Sequence, residues 1–85
     1  MASYNVRITR SAAKELEALP LRDRKRIANR IERLGPDPRP AGSEKLSGEE
    51  KYRLRQGDYR ILYEIFDREL RVTVVRIGHR RDVYR

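Results

Sequence analysis

The chain has 85 residues, which is near the lower end of what one hydrophobic core can stabilise without covalent cross-links. It has no cysteine and a single histidine, which excludes disulfide bonds, thiolate metal sites and any transition-metal site with more than one good ligand. The 21 Lys and Arg outnumber the 13 Asp and Glu, and the net charge of +8 favours polyanionic partners such as nucleic acid or an acidic protein.

The first part of the chain predicts one strand and two helices. Residues 4–9 (YNVRIT) alternate apolar and polar side chains, as a strand does. Thr9 or Ser11 can cap a following helix, in which Ala12, Ala13, Leu16 and Leu19 recur at helical spacing. A second helix is predicted over residues 21–34, with its apolar side formed by Ile27, Ile31 and Leu34. The two helices form a hairpin whose apolar faces need a sheet to cover.

The second part of the chain predicts three strands. Residues 35–42 (GPDPRPAG) form a loop, and strands follow at 52–55, 59–66 and 70–77, joined by tight connections at 56–58 and 67–69. Residues 78–85 (GHRRDVYR) form a short C-terminal extension. The predicted fold is therefore α+β, with the order β-α-α-β-β-β and a helical hairpin packed on a mostly antiparallel twisted sheet. We interpret residues 1–85 as one domain.

Two arginines alternate with apolar residues in the first of these three strands. If Tyr52 and Leu54 enter the core, Arg53 and Arg55 lie side by side on the opposite face. Neighbouring like charges repel, and a polyanion lying across the sheet would relieve that repulsion. A solvated strand face with no function is the alternative.

The side chains available restrict the chemistry of any active site. The five glycines are scattered rather than gathered into a phosphate-binding loop, and no serine lies in a turn suited to a Ser-His-Asp triad. An enzyme would have to use Arg, Lys, Tyr and the one His. Such groups suit RNA cleavage by its own 2′-hydroxyl, because the nucleophile is already in the substrate and arginines can stabilise the charge on phosphorus. DNA lacks that hydroxyl and should be inert.

The sequence contains KLSG at 45–48, YRLR at 52–55, GDYRILY at 57–63 and GHRRDVY at 78–84. These four segments resemble the RelE/ParE toxin superfamily, and the resemblance covers nearly the whole chain. It implies a toxin of a type II toxin–antitoxin system, of the RelE branch, that cuts mRNA in the ribosomal A site and leaves a 2′,3′-cyclic phosphate. It also implies no cofactor, a RelB-like antitoxin that blocks the toxin, and operator DNA bound only through the toxin–antitoxin complex.

The resemblance also implies roles for individual residues. Arg60 matches the arginine that contacts the scissile phosphate, Arg80 the arginine that stabilises the transition state, and Tyr84 the tyrosine that stacks on or orients the substrate base. Arg53 and Arg55 fall where a well-known member has two lysines that serve in proton transfer and electrostatic stabilisation. Peripheral RNA contacts are expected from Lys45, Lys51 and Arg81.

The two arginines depart from the family pattern. Arginine stays protonated in proteins, so Arg53 and Arg55 can neutralise a phosphate but cannot act as a general base. His79 is the only side chain whose ordinary pKa is near neutrality, and we take it as the candidate base or acid. The alternative for His79 is a polar residue that ends a strand. Tyr84 could take part only if nearby arginines lowered its pKa.

Two other functions remain open at the level of sequence. ParE-like relatives inhibit DNA gyrase by binding it and have no nuclease activity, and a degenerate toxin could persist only as an antitoxin partner. The joint presence of Arg60, Arg80 and Tyr84 favours the RNA-cutting branch. The N-terminus lacks a signal-like apolar stretch and no apolar run is long enough to span a bilayer, so we expect a cytoplasmic protein with no membrane partner.

Overall fold

The computed structural model describes residues 3–46 and 50–79, and there the chain forms an α+β fold, as the sequence predicts. The helices are α1 (Arg10–Glu17) and α2 (Leu21–Glu32), and the strands are β1 (Asn5–Ile8), β2 (Ser43–Lys45), β3 (Lys51–Gln56), β4 (Tyr59–Phe66) and β5 (Arg71–His79). No helix in the described ranges is long and apolar enough to span a membrane.

Local sequence signals set the ends of the helices. Helix α1 begins after Thr9, whose extended backbone and Oγ1, which accepts a hydrogen bond from the amide of Ala12 at 3.2 Å, make it the N-cap. Thr9 is therefore the cap, rather than Ser11. Helix α2 follows Pro20 directly and ends at Glu32, two residues earlier than predicted, although Leu34 is still fully buried.

The five strands form one sheet in the order β1-β5-β4-β3-β2. Strand β1 runs parallel to β5, and the other neighbours are antiparallel, which confirms the mostly antiparallel sheet. The sequence analysis missed β2, which has only three residues and no apolar alternation. Its formation depends on backbone pairing with β3, which no local pattern reveals.

The core lies between the helices and one face of the sheet. It consists of aliphatic side chains from α2 and alternate residues of the three long strands, with Ala12 from α1. Tyr52 and Leu54 are among them at 6% and 1% exposure, so Arg53 and Arg55 do face the other way. Tyr63 is fully buried, whereas Tyr59 is half-buried at the end of the core.

Two core tyrosines and an ion pair hold the proline-rich loop against the sheet. The hydroxyl of Tyr63 donates to the carbonyl of Pro38 at 2.9 Å, and Nε of Arg39 donates to the hydroxyl of Tyr52 at 3.0 Å. Arg39 also makes a two-pronged contact with Asp67 at 3.2 and 2.9 Å, and the hydroxyl of Tyr4 donates to the same carboxylate at 2.6 Å. The loop is thereby tied to the start of β1 and to the β4–β5 turn.

Candidate functional site

The face of the sheet turned away from the helices carries most of the predicted site. We call it the open face and define it by alternate residues of the three long strands. They are Lys51, Arg53 and Arg55 on β3, Arg60, Leu62 and Glu64 on β4, and Thr73, Arg76 and Gly78 on β5. Residues directly opposite each other on antiparallel strands lie on the same face, so the register places these side chains in rows across the sheet.

One row brings two arginines directly together. Arg55 on β3 is opposite Arg60 on β4, and Arg60 is opposite Gly78 on β5. The glycine has no side chain, so β5 places no side chain opposite Arg60 in this row, and Nε and Nη1 of Arg60 are buried. Like charges directly opposite each other destabilise a sheet, and an anion held between the two guanidinium groups would reverse that effect.

A second row contains a carboxylate that partly neutralises the face. Arg53 is opposite Leu62 and next to Glu44 of β2, and its Nη2 lies 3.0 Å from Oε2 of Glu44. The Arg53 side chain is only 21% exposed, whereas Arg55 is exposed and donates from Nε to the carbonyl of Gly57 at 3.2 Å. Among the described residues Arg55 has no carboxylate partner. The row of Arg55 and Arg60 is therefore the more positive part of the open face.

Two residues of this face were missed by the sequence analysis. Glu44 was missed because β2 was missed. The register places Arg76 on the open face because β5 carries an irregularity, in which Tyr63 pairs with Val74 and Leu62 pairs with Arg76, leaving Val75 as the extra residue. Its Nε nevertheless lies 3.9 Å from Oε2 of Glu15 on α1. The two consecutive valines are the only local sign of this bulge, and strict alternation along β5 cannot locate it.

The structure does not bring His79 to the open face. His79 pairs with Tyr59 and follows Ile77 by two residues, so it lies on the helix side, where its ring meets that of Tyr59 edge-on at 6.1 Å. It borders a cleft of about 220 Å³ between α2 and the β3–β4 turn, lined also by Asp23, Arg26, Gln56 and Asp58. Desolvation, with the neighbouring Asp23 carboxylate 3.3 Å from its hydroxyl, raises the pKa of Tyr59.

The remaining predicted residues divide into two groups. Lys51 lies on the open face, opposite Glu64, whereas Lys45 is opposite Tyr52 on the helix side and lies 3.7 Å from Glu50. The other three predictions, Arg80, Arg81 and Tyr84, lie outside the described residues.

The open face is suited to binding a phosphate chain rather than to holding a metal ion. Guanidinium groups offer paired donors that match phosphate oxygens, and Arg55 and Arg60 place two of them on adjacent strands, whereas Arg53 is paired with Glu44 and Arg76 with Glu15 of α1. Within residues 3–46 and 50–79, no three His, Asp or Glu side chains come together as a metal site.

Comparison with known proteins identifies the family. The family model described as the ParE toxin of the type II toxin–antitoxin system, parDE, matches residues 6–84. The chain belongs to this toxin family. The toxin is 34% identical to Toxin RelG of Mycobacterium tuberculosis over 86 aligned positions, which cover 96% of this chain and 97% of RelG.

Solved structures place the toxin within the RelE/ParE superfamily. It matches a chain in the crystal structure of the toxin–antitoxin complex RelBE2 from Mycobacterium tuberculosis with a TM-score of 0.82 and 31% identity, covering 94% of both chains. It matches a chain of the archaeal RelE–RelB complex from Pyrococcus horikoshii with a TM-score of 0.79 and 25% identity, covering 91% of this chain and 94% of the other. The superfamily expected from the sequence segments is thus confirmed.

Proposed function

We propose that this toxin is a metal-independent endoribonuclease that cuts mRNA in the ribosomal A site and thereby inhibits translation in the cytoplasm. The observation that carries the proposal is the opposed pair Arg55 and Arg60 on the open face. A protein that only docks on another protein has no need for two arginines placed opposite each other on adjacent strands. The similarity to RelG and to chains of RelE-type complexes supports the same branch.

The reaction needs little covalent chemistry from the protein. The 2′-oxygen attacks the adjacent phosphorus and gives up its proton to water, the bond from phosphorus to the 5′-oxygen breaks, and the 5′-oxygen takes a proton from water, which gives a 2′,3′-cyclic phosphate and a 5′-hydroxyl. Arg60 is proposed to contact the scissile phosphate from one side and Arg55 from the other, which holds the strand and stabilises the charge that builds up on its oxygens. Arg53 and Lys51 would bind flanking phosphates along β3, with Arg80, Arg81 and Tyr84 completing the site.

The proposed partners are a RelB-like antitoxin, the ribosome and mRNA. Both solved structures described above are complexes of a toxin with its antitoxin, and this chain aligns over most of the length of a chain in each. A net charge of +8 would accelerate the encounter with an acidic antitoxin segment. Operator DNA is proposed as a partner of the toxin–antitoxin complex and not of the toxin by itself.

The test is cleavage on programmed ribosomes, mapped by primer extension across the A-site codon. Purified toxin should produce cuts within that codon, and an Arg60→Ala/Arg80→Ala double variant should lose at least about 100-fold in rate, since each removed charge-stabilising donor is worth roughly that much. A matched control is Arg10→Ala/Arg68→Ala, which removes the same charge from two exposed positions off the open face and should cut normally. If folded toxin free of antitoxin makes no cuts, the ribonuclease proposal is wrong.

Gyrase inhibition is the second candidate, and the name of the matching family model favours it. A gyrase inhibitor would block DNA supercoiling by purified gyrase in the absence of any RNA. Supercoiling inhibition that survives Arg60→Ala/Arg80→Ala, together with intact mRNA, would select this function over the first. Loss of both activities in a folded protein that is harmless on expression would leave a degenerate toxin.

A further inference from the structure

The solvent face of α2 is a second basic surface, on the side of the molecule opposite the open face. The buried residues of this helix, Ile27 and Ile31, face the sheet, so its exposed residues face away from the sheet. Arg22, Arg26 and Arg33 recur at intervals of four and seven residues along that exposed side, which places them in one line. We call these three residues the α2 stripe.

The α2 stripe forms no ion pairs within the described structure, although Asp23 and Asp58 line the same cleft as Arg26. None of its three guanidinium groups forms an ion pair or a side-chain hydrogen bond with a residue in the described ranges. Exposed Lys25 and half-buried Arg30 flank the line, while Glu32 is the only exposed acidic residue of the helix. Arginines so close together repel one another, and a solvated helix needs no such concentration of one sign of charge.

The α2 stripe presents positive charge and almost no apolar surface. Apart from Leu21, which is 58% exposed at the first residue of the helix, no large apolar side chain of α2 is exposed. Protein-binding surfaces have a central apolar or aromatic anchor, and single-stranded nucleic acid is held by aromatic platforms on which bases stack. The stripe has neither. It matches a partner that presents phosphates outward and keeps its bases stacked inside.

We propose that the α2 stripe binds the phosphate backbone of double-helical RNA while the open face holds a separate single strand. The stripe extends over twelve residues, from Arg22 to Arg33 at the C-cap, or about 16 Å along the helix axis, which is long enough to meet several successive phosphates. The choice of RNA over DNA rests on the proposed function. The toxin thus has two RNA-binding surfaces, one for positioning on a folded RNA and one for the strand to be cut.

The experiment measures binding of a fluorescein-labelled RNA duplex of about 16 base pairs by anisotropy, across a series of salt concentrations. The test variant is Arg22→Gln/Arg26→Gln/Arg33→Gln, because glutamine is a good helix former and keeps α2 intact. The control variant, Arg10→Gln/Lys14→Gln/Arg68→Gln, removes the same charge from exposed positions off the stripe. Far-UV circular dichroism checks that both variants remain folded.

We expect the test variant to lose at least about 10-fold in duplex affinity near 0.1 M salt, and its log–log salt slope to fall by about 2 to 3, since each phosphate contact contributes about 0.9. The control should change affinity by less than ~3-fold. Equal losses of affinity in both variants would mean that only the net charge of the protein determines duplex binding. Unchanged affinity in the test variant would mean that the α2 stripe does not bind the duplex. Either result overturns the proposal.

Two further measurements distinguish RNA from an acidic protein as the partner of the α2 stripe, and the duplex-binding proposal from the cleavage proposal. If the test variant binds the duplex normally but loses binding to poly-L-glutamate, the stripe is a site for an acidic protein segment and the RNA proposal is wrong. The Arg60→Ala/Arg80→Ala variant should keep duplex binding within ~3-fold, because it alters a different surface. Failure of the cleavage assay therefore leaves the duplex result standing, and loss of the duplex result leaves cleavage untouched.

Discussion

The position of His79 determines which groups can move protons at the open face. Its ring packs against Tyr59 on the helix side of the sheet, whereas Arg60 lies on the other face. A group on the wrong side of a sheet cannot reach a proton at a phosphate held by Arg55 and Arg60, because general acid–base catalysis needs hydrogen-bond reach. We therefore expect His79→Ala to cut mRNA at a rate within ~3-fold of the unaltered toxin, measured in single turnovers from pH 6 to pH 9.

A loss of about 100-fold or more in His79→Ala, accompanied by a changed pH profile, would restore His79 as the acid or base. His79→Gln is the matched control, since it keeps a polar side chain that can fill the same cleft. A loss in the alanine variant that glutamine restores would indicate a structural role for the ring at the end of β5.

Asp67 links pH to the stability of the fold. Its hydrogen bonds from Arg39, and then from Tyr4, lower the pKa of its carboxyl below the ordinary value of 3.8. A carboxyl with a lowered folded pKa stabilises the native state above the unfolded pKa, and that stabilisation disappears as the pH falls through the folded pKa. We expect Asp67→Asn to unfold at lower urea concentration than the unaltered toxin at pH 7, with the difference shrinking towards zero near pH 2.

The control for this measurement is Asp37→Asn, because the Asp37 carboxylate forms no ion pair with a described residue. It should leave the urea midpoint nearly unchanged at both pH values. A gap between Asp67→Asn and the unaltered toxin that stays constant down to pH 2 would contradict the linkage.

Which side chains share a face was largely predictable from the sequence. Alternation around Tyr52 and Leu54 placed Arg53 and Arg55 on the open face, and the same argument from Ile77 would have placed His79 on the helix side. The partner of Arg53 was not predictable, because Glu44 approaches through the tertiary pairing of β2 with β3. Such a contact depends on sequence-distant backbone hydrogen bonds.

At the scale of elements, the start of α1 depends on one hydroxyl. The Oγ1 of Thr9 accepts from the amide of Ala12, while Ser11 lies one residue inside the helix and is exposed. Replacing an N-cap threonine by alanine leaves that amide without its acceptor and costs about 1 kcal/mol. For a domain of this size that corresponds to a fall of about 4–8 °C in the midpoint of thermal unfolding, which calorimetry can resolve.

Ser11→Ala is the matched control for Thr9→Ala, and it should change the free energy of unfolding by no more than about 0.5 kcal/mol. Equal effects of the two variants would mean that Ser11, whose hydroxyl lies 3.3 Å from Oγ1 of Thr9, supports the cap as much as Thr9 does. Among the strands, some features follow from the local sequence pattern and others depend on pairing with a neighbouring strand. Strand β4 was predicted with its exact bounds from its pattern, whereas the bulge in β5 arises from pairing with β4.

Charge dominates the behaviour of the whole molecule. The net charge is +8, and the ion pairs found in the described ranges are few compared with the cations on α2 and the open face. Repulsion among like charges destabilises a compact state, and added salt screens it, with a Debye length that falls from about 30 Å at 0.01 M to about 3 Å at 1 M. Salt should therefore stabilise this protein more than it weakens the ion pairs.

We expect the midpoint of thermal unfolding to rise by about 4–8 °C between 0.01 M and 0.5 M sodium chloride, which corresponds to roughly 1 kcal/mol of relieved repulsion. The Arg22→Gln/Arg26→Gln/Arg33→Gln variant provides the internal control, because it removes three positive charges from one face and should show a smaller rise. A midpoint that falls with salt would mean that ion pairs such as Arg39 with Asp67 outweigh the repulsion. Repulsion among the basic side chains would then not lower the free energy of unfolding. The clusters of arginine could therefore not be explained as a loss of stability that is tolerated because it favours binding.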